Sequence, residues 1–205
     1  MNSERPKSRD TASLHGSAPD KCPVALLLID VINDLDFSEG EELLQFALPM
    51  AQRIAALKRR ARAEKIPVIY VNDNFGRWRS DVHAQVEHCL KPDCLGRPIV
   101  ELLKPQQDDY FVLKPKHSGF FSTTLDTLLE YLSTEVIVLT GIASNICVLF
   151  TANDAYMRDL KLIVPSDCVA ANTQSDNQYA IEQMRQVLKA DTRPSSELEL
   201  GELLN

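Results

Sequence analysis

The sequence predicts an α/β fold of three layers, α/β/α, with a mainly parallel sheet of six strands. Short apolar runs alternate along the chain with stretches of helical spacing, which is typical of parallel strands covered by helices on both faces. A chain of 205 residues, 44% hydrophobic and 25% charged, suits one core. The polar segment 1–22 is predicted to be a tail, and residues 23–205 are predicted to form a single domain.

The first strand is predicted at the apolar run 24–29, which stops at Asp30. The helix after it is predicted to begin at Pro49, because proline suits the first helical position. Apolar residues then recur at helical spacing: Met50, Ile54, Leu57 and Ala61. The helix leads into a second apolar run at 68–71, which completes a strand-helix-strand unit.

The remaining elements follow the same alternation. Further strands are predicted at 110–113, 135–140 and 160–164, with a last short strand near 188–192. One helix is predicted from Gly141 to about Met157, and another at the apolar residues Ile181, Met184 and Leu188. Right-handed crossovers between these strands complete the predicted topology.

Polar residues follow several of the predicted strands. Asp30, Asp73, Lys114 and the segment 141–147 come directly after apolar runs. Because the carboxyl ends of parallel strands meet at one edge of the sheet, where small ligands bind, these groups should converge there. Neither a GxGxxG nor a Walker-type glycine loop is present, so nucleotide binding has little support.

Cys147 is the candidate nucleophile. It should lie in the first turn of the helix that follows the strand at 135–140, where Ser144 or Asn145 can cap the helix. Unpaired amides and the helix dipole there are expected to favour the thiolate and to lower the pKa of the thiol. The alternative is a buried, inert cysteine that packs like a small apolar residue.

Asp30 and Lys114 are candidate partners of this thiol. A carboxylate at the end of a buried strand is costly unless it is paired or functional, so Asp30 is either a structural cap or ion pair or a catalytic group. An aspartate and a lysine beside a thiol would suit acyl transfer, because the carboxylate can move protons between the sulfur and the leaving group.

Charge and cysteine usage exclude several classes of function. The net charge of −7 argues against binding to nucleic acid or to anionic membranes. No apolar stretch approaches the length of a membrane span, no signal peptide is evident, and a cytoplasmic location is expected. A compact basic run is interpreted as a solvated helix face: Lys58, Arg59, Arg60 and Arg62. The odd set of cysteines lacks a CxxC pair and predicts no disulfide framework: Cys22, Cys89, Cys94, Cys147 and Cys168.

Three separated segments resemble those of the isochorismatase-like cysteine hydrolases, and the resemblance runs from about residue 23 to the C-terminus. They are LIDV at 28–31 with Asn33 and Asp34, VLKPKHSGF at 112–120, and TGIASNICV at 140–148 followed by Thr151-Ala152 and Asp154-Ala155. The resemblance implies a Rossmann-like fold, a catalytic triad of Asp30, Lys114 and Cys147, and a covalent intermediate on Cys147. It also implies a cis peptide between Ile142 and Ala143, with the amides of Ala143 and Cys147 in an oxyanion hole.

The resemblance also bears on the substrate. Cys147 favours a small-molecule amide over the vinyl ether of the family's namesake reaction, for which little basic charge is available beyond Lys114, Lys116 and Arg77 or Arg79. A catalytically idle regulatory or partner-binding subunit remains a further alternative. Relatives imply a homo-oligomer, a dimer or tetramer. No cofactor is expected.

Nicotinamidases of this family bind a metal through an Asp-x-His pair and a later histidine. Asp73 and His88 match two of those positions, but Phe75 replaces the histidine of the pair, so no metal is predicted. Three aromatic residues near the strand ends are predicted to line the substrate pocket: Phe37, Trp78 and Phe121.

Overall fold

A computed structural model describes residues 21–74 and 81–204 and contains a six-stranded sheet. All strand pairings are parallel, in the order β3-β2-β1-β4-β5, with β6 paired to β4. The α/β fold with a parallel sheet is therefore confirmed. The strands are β1 (Val24–Ile29), β2 (Val68–Asp73), β3 (Tyr110–Lys114), β4 (Val136–Ile142), β5 (Lys161–Ile163) and β6 (Val169–Ala170).

Helices on both faces of the sheet complete the three layers. They are α1 (Gly40–Ala63), α2 (Val82–Cys89), α3 (Arg97–Leu102), α4 (Leu125–Leu132), α5 (Leu149–Tyr156) and α6 (Gln174–Gln186). A π-helical turn, Ser144–Val148, precedes α5. Two short 3-10 helices, Ser195–Glu197 and Leu200–Leu204, lie at the C-terminal end.

β1 lies at the centre of the sheet and divides the core between its two faces. All of its residues are buried, with Leu26 and Leu28 in one apolar cluster and Leu27 and Ile29 in the other. This explains why the run is continuously apolar rather than alternating.

The helix α1 begins at Gly40, so the prediction that it begins at Pro49 is wrong. Pro49 lies inside the helix, where its ring removes one backbone hydrogen bond, yet the buried stripe continues through it from Leu43 and Ala47 to Met50. Packing of that stripe against the sheet outweighs the cost of the proline.

The basic run of α1 is not a solvated face. Lys58 is buried and its Nζ lies 2.8 Å from Asp109 Oδ2, while Arg62 pairs with Asp108. Arg60 donates to backbone carbonyls of the C-terminal segment, and only Arg59 of the run is exposed. The carboxylates that pair with this run lie far along the chain, so helical spacing alone could not reveal them.

The sixth strand also differs from the prediction. The segment near 188–192 forms only an isolated bridge, between Asp191 and Ile163, whereas Val169 and Ala170 pair with the end of β4. Two paired residues are too short to leave a pattern in the sequence.

Candidate functional site

The carboxyl ends of β1 and β4 form the topological switch point of the sheet. β2 and β3 lie on one side of β1, and β4 lies on its other side. The connections that leave β1 and β4 therefore diverge, and a crevice remains between them. Asp30 follows β1 directly and the turn 144–148 follows β4, which places both at this crevice.

Asp30 is held in place by backbone geometry and hydrogen bonds. It has a φ of 51°, in the left-handed region, which turns the chain sharply out of β1. Its amide donates to the carbonyl of Val71 at 3.0 Å, and its Oδ1 accepts the amide of Asp73 at 2.6 Å. The residue is 5% exposed. Burial, opposed by Lys114, raises the pKa of the Asp30 carboxyl above its usual range.

Lys114 is the last residue of β3 and is completely buried. Its Nζ lies 2.8 Å from Asp30 Oδ2 and 3.7 Å from Asp73 Oδ2. The same ammonium donates to Cys147 Sγ at 3.5 Å and to the carbonyl of Lys116 at 3.2 Å. Burial alone would lower the pKa of Lys114, but the neighbouring Asp30, Cys147 and Asp73 raise it, so this lysine remains charged.

The turn that carries Cys147 depends on Gly141. This glycine has a φ of 113°, and a Cβ there would lie 2.1 Å from the carbonyl oxygen of Ile29. Only glycine therefore lets β4 approach β1 so closely at this point. The following peptide, between Ile142 and Ala143, is cis, which is the conformation that the family resemblance implies.

The structure brings Asp30, Lys114 and Cys147 together. Besides its contact with Lys114, the Cys147 thiol is close enough to the Asp30 carboxylate for each to shift the pKa of the other. A carboxylate, an ammonium and a thiol from distant parts of the sequence thus lie together, as expected for residues that follow parallel strands of one sheet.

The prediction that Cys147 has a lowered pKa is wrong. Burial first, and then the Asp30 carboxylate, raise the pKa of the thiol to about 12, and these outweigh the opposing effect of Lys114. Cys147 lies within a π-helical turn of five residues, and its partly buried thiol is next to an acidic group. This direction of the shift favours the thiol form of the resting cysteine.

The loop between β3 and α4 is hydrogen-bonded to α5, the helix that directly follows the turn of Cys147. Ser118 Oγ donates to Asp154 Oδ2, and the amide of Gly119 donates to Thr151 Oγ1 at 2.9 Å. Thr151 Oγ1 in turn donates to the carbonyl of Cys147 at 2.7 Å. These hydrogen bonds fix the distance between Lys114 and the sulfur.

His117 also lies at the site, and the sequence reasoning missed it. Its Nδ1 is 3.8 Å from Cys147 Sγ, and its ring contacts that of Phe150, with centroids 5.4 Å apart. The residue stands inside the 112–120 segment that carries the family resemblance, and its position three residues after Lys114 was the available signal.

Two of the aromatic residues predicted for the pocket can be located, and both are largely exposed. Phe37 is 45% exposed and lines a cleft of about 490 Å³ together with Asp34 and His88, whereas none of the triad lines that cleft. Phe121 is 55% exposed, on the loop after β3. Trp78 lies outside the described residues.

The two described residues of the partial metal motif have other partners. His88 Nε2 lies 3.0 Å from Asp34 Oδ2, while Asp73 Oδ2 lies 3.7 Å from Lys114 Nζ. Among residues 21–74 and 81–204, no three histidine, cysteine or acidic side chains are grouped as metal ligands would be. Phe75 lies outside these ranges. In the same part of the chain, no helix has the length and apolar character of a membrane span.

Comparisons with known proteins agree on one family. The family model described as the isochorismatase domain matches residues 24–192. The isochorismatase family protein YaaI of Bacillus subtilis is 43% identical over 171 residues, which cover 83% of this chain and 93% of that protein. The ureidoacrylate amidohydrolase RutB of Serratia proteamaculans is 40% identical over 181 residues, which cover 76% of this chain and 72% of the relative.

Solved structures give the same result. The N-carbamoylsarcosine amidase of Thermoplasma acidophilum superposes with a TM-score of 0.68 at 28% identity, and covers 86% of this chain and 98% of its own. A Staphylococcus aureus nicotinamidase superposes with a TM-score of 0.59 at 25% identity, and the match covers 83% of this chain and 97% of the nicotinamidase. Hydrolases that act on amides are thus among the proteins that this chain resembles in both sequence and structure.

Proposed function

The chain belongs to the isochorismatase family and is a hydrolase, and we propose that it hydrolyses the C–N bond of a small-molecule amide with Cys147 as nucleophile. The observation that carries the proposal is the cluster around the sulfur, with Lys114 Nζ 2.8 Å from Asp30 and 3.5 Å from Cys147 Sγ. The relatives named as an ureidoacrylate amidohydrolase and an N-carbamoylsarcosine amidase support amide chemistry and make carbamoyl compounds the first substrates to test.

Transfer of a proton within the cluster can form the nucleophile even though the pKa of the thiol is raised. The resting cluster contains a thiol, a carboxylate and an ammonium; transfer of the thiol proton to Asp30 gives a thiolate, a carboxylic acid and the same ammonium. The net charge of the buried cluster does not change, so the transfer avoids the cost of creating an isolated buried charge. Because burial raises the pKa of Asp30, its carboxylate is a stronger base than an exposed aspartate.

The reaction then proceeds in two balanced steps. The sulfur attacks the amide carbonyl carbon, Asp30 gives its proton to the leaving nitrogen, and the C–N bond breaks to leave a thioester on Cys147 and a free amine or ammonia. A water molecule, deprotonated by Asp30, then attacks the thioester and releases the acid and the thiol. The amides of Ala143 and Cys147 are proposed as donors to the oxyanion in both steps.

A panel of amides tests this proposal, with N-carbamoyl compounds and primary aromatic amides as its members and release of ammonia as the readout. We expect Cys147→Ala to lower turnover of the preferred amide by at least about 10³-fold, because it removes the attacking atom. Cys94→Ala is the matched control, since Cys94 is a partly exposed cysteine whose thiol faces the carbonyl of Asp34. Full turnover by Cys147→Ala, or hydrolysis of no member of the panel by the natural chain, would reject the proposal.

A further inference from the structure

We propose that His117 is a further catalytic residue, which donates a hydrogen bond from Nδ1 to the sulfur of Cys147 when that sulfur is ionised. The inference rests on the proposed function, because it takes Cys147 as the nucleophile. The observation behind it is the distance of 3.8 Å between Nδ1 and Sγ, within the range of hydrogen bonds to sulfur.

The sulfur lies between two nitrogen donors of different kinds. Lys114 Nζ approaches it at 3.5 Å from the buried interior, while His117 is an exposed residue and approaches it from the solvent side. Lys114 also serves Asp30, Asp73 and the carbonyl of Lys116, so its three protons are shared among several acceptors. A hydrogen bond from His117 would therefore stabilise the thiolate in addition to the hydrogen bond from Lys114.

The position of His117 is constrained on both sides along the chain. The carbonyl of Lys116 accepts from Lys114, and Ser118 is fastened to Asp154 of α5. The imidazole contacts the ring of Phe150, which lies three residues after Cys147 in the chain. The angle between the two ring planes is 49°. These contacts direct Nδ1 toward the sulfur and limit the other orientations of the ring.

When the ring is neutral, this hydrogen bond needs the tautomer with the proton on Nδ1. In that form Nδ1 can donate to the thiolate while Nε2 accepts from water. Hydrogen bonds to charged groups are stronger than those between neutral groups, so the contact should be most favourable after the thiol proton has moved to Asp30. The imidazole therefore stabilises the attacking form of Cys147 in preference to its resting form.

The test measures the reactivity of Cys147 without any amide substrate. The full chain is incubated with iodoacetamide at about pH 8, and the rate of carbamidomethylation of the Cys147 peptide is followed by mass spectrometry. His117→Phe keeps an aromatic ring against Phe150 but has no donor, and we expect it to react about tenfold more slowly. His117→Asn places a side-chain amide near the position of Nδ1, and we expect it to keep most of the natural rate.

His83→Phe, at an exposed position of α2, is the matched control and should react at the natural rate. A rate for His117→Phe within about twofold of the natural chain, or equal losses in His117→Phe and His117→Asn, overturns the inference. Because alkylation needs no substrate, this result is separate from that of the amide panel. Slow alkylation of His117→Phe in a chain that hydrolyses no amide would contradict the proposed function and leave the hydrogen bond standing.

Discussion

Lys58 and Lys114 are both buried lysines, and each lies 2.8 Å from an aspartate. Lys58 Nζ also donates to the hydroxyl of Tyr70 at 2.7 Å and to the carbonyl of Lys104 at 3.3 Å. All of its protons thus have oxygen acceptors, and the pair joins α1 to the loop before β3. Lys114 instead shares its protons between oxygen atoms and a thiol.

The two lysines also differ in the direction of their pKa shifts. Burial lowers the pKa of Lys58 despite the pairing with Asp109, whereas the acidic groups around Lys114 raise its pKa despite burial. A buried Lys–Asp pair is therefore not by itself a sign of catalysis. A third partner, the thiol of Cys147, distinguishes the site at the strand ends from the pair of Lys58 and Asp109.

The substitution Lys114→Met gives the largest expected effect. It removes the cation beside the sulfur and Asp30, and we expect turnover of the preferred amide to fall by about 10³-fold, because an electrostatic contribution to the reacting groups is lost. Loss of stability should be limited, since the pKa of Asp30 is already raised and its carboxyl can bind a proton when the ammonium is gone. Steady-state kinetics and denaturant unfolding measure the two effects. Turnover within tenfold of the natural chain would contradict the role of Lys114.

The acid limb of the pH profile is the next expectation. Asp30 must be ionised to accept the thiol proton, so kcat/KM should fall tenfold for each pH unit below the pKa of Asp30. Because burial raises that pKa, the fall should begin above the ordinary aspartate value of 3.8. Lys58→Met should keep the same limb, since Lys58 pairs with Asp109 instead of Asp30. A constant kcat/KM from neutral pH down to about pH 4 would contradict the assignment of Asp30 as the base.

Lys58→Met should have the opposite pattern from Lys114→Met. It leaves the carboxylate of Asp109 and the hydroxyl of Tyr70 without their shared donor, and we expect the free energy of unfolding to fall by about 3 kcal/mol. Turnover should stay within about threefold of the natural value, because the catalytic cluster is untouched. Arg59→Met, at the exposed neighbouring position of the same helix, should change the free energy of unfolding by less than about 0.5 kcal/mol. A fall in turnover well beyond threefold in Lys58→Met, with little change in the free energy of unfolding, would contradict the structural role of Lys58.

Thr151→Val is expected to destabilise the fold less than Lys58→Met does. It removes the acceptor of the Gly119 amide and the donor to the carbonyl of Cys147, and we expect a loss of about 1 to 2 kcal/mol in unfolding free energy. Turnover should fall several-fold, because the loop that follows Lys114 is no longer fastened to the helix of Cys147. Thr127→Val, on the exposed face of α4, is the control that should change neither. Unchanged stability and turnover in Thr151→Val would mean that the hydrogen bonds of Thr151 contribute neither to folding nor to catalysis.

Much of the fold and the three central residues could be predicted from the sequence, because both depend on simple patterns. The run 24–29 is apolar throughout, and a carboxylate follows it at Asp30. Parallel strands end at the same edge of a sheet, so Asp30 and Lys114 lie at one edge if both runs are strands of one sheet.

The predictions that failed concern interactions between distant residues. The partners of Lys58 lie on β2 and before β3, and the apolar stripe that keeps α1 helical through Pro49 is defined only by packing on the sheet. The direction of the pKa shift at Cys147 depends on how far the sulfur is buried and how close Asp30 comes to it. Local sequence contains neither quantity.

Rapid quenching tests whether the Cys147 sulfur forms a thioester after it gives its proton to Asp30. The chain is mixed with its preferred amide, quenched in acid at successive times, digested and weighed by mass spectrometry. We expect a Cys147 peptide heavier by the acyl group of the substrate, formed before steady turnover and absent in Cys147→Ala. An unmodified Cys147 peptide at every time, together with undiminished turnover in Cys147→Ala, would contradict it.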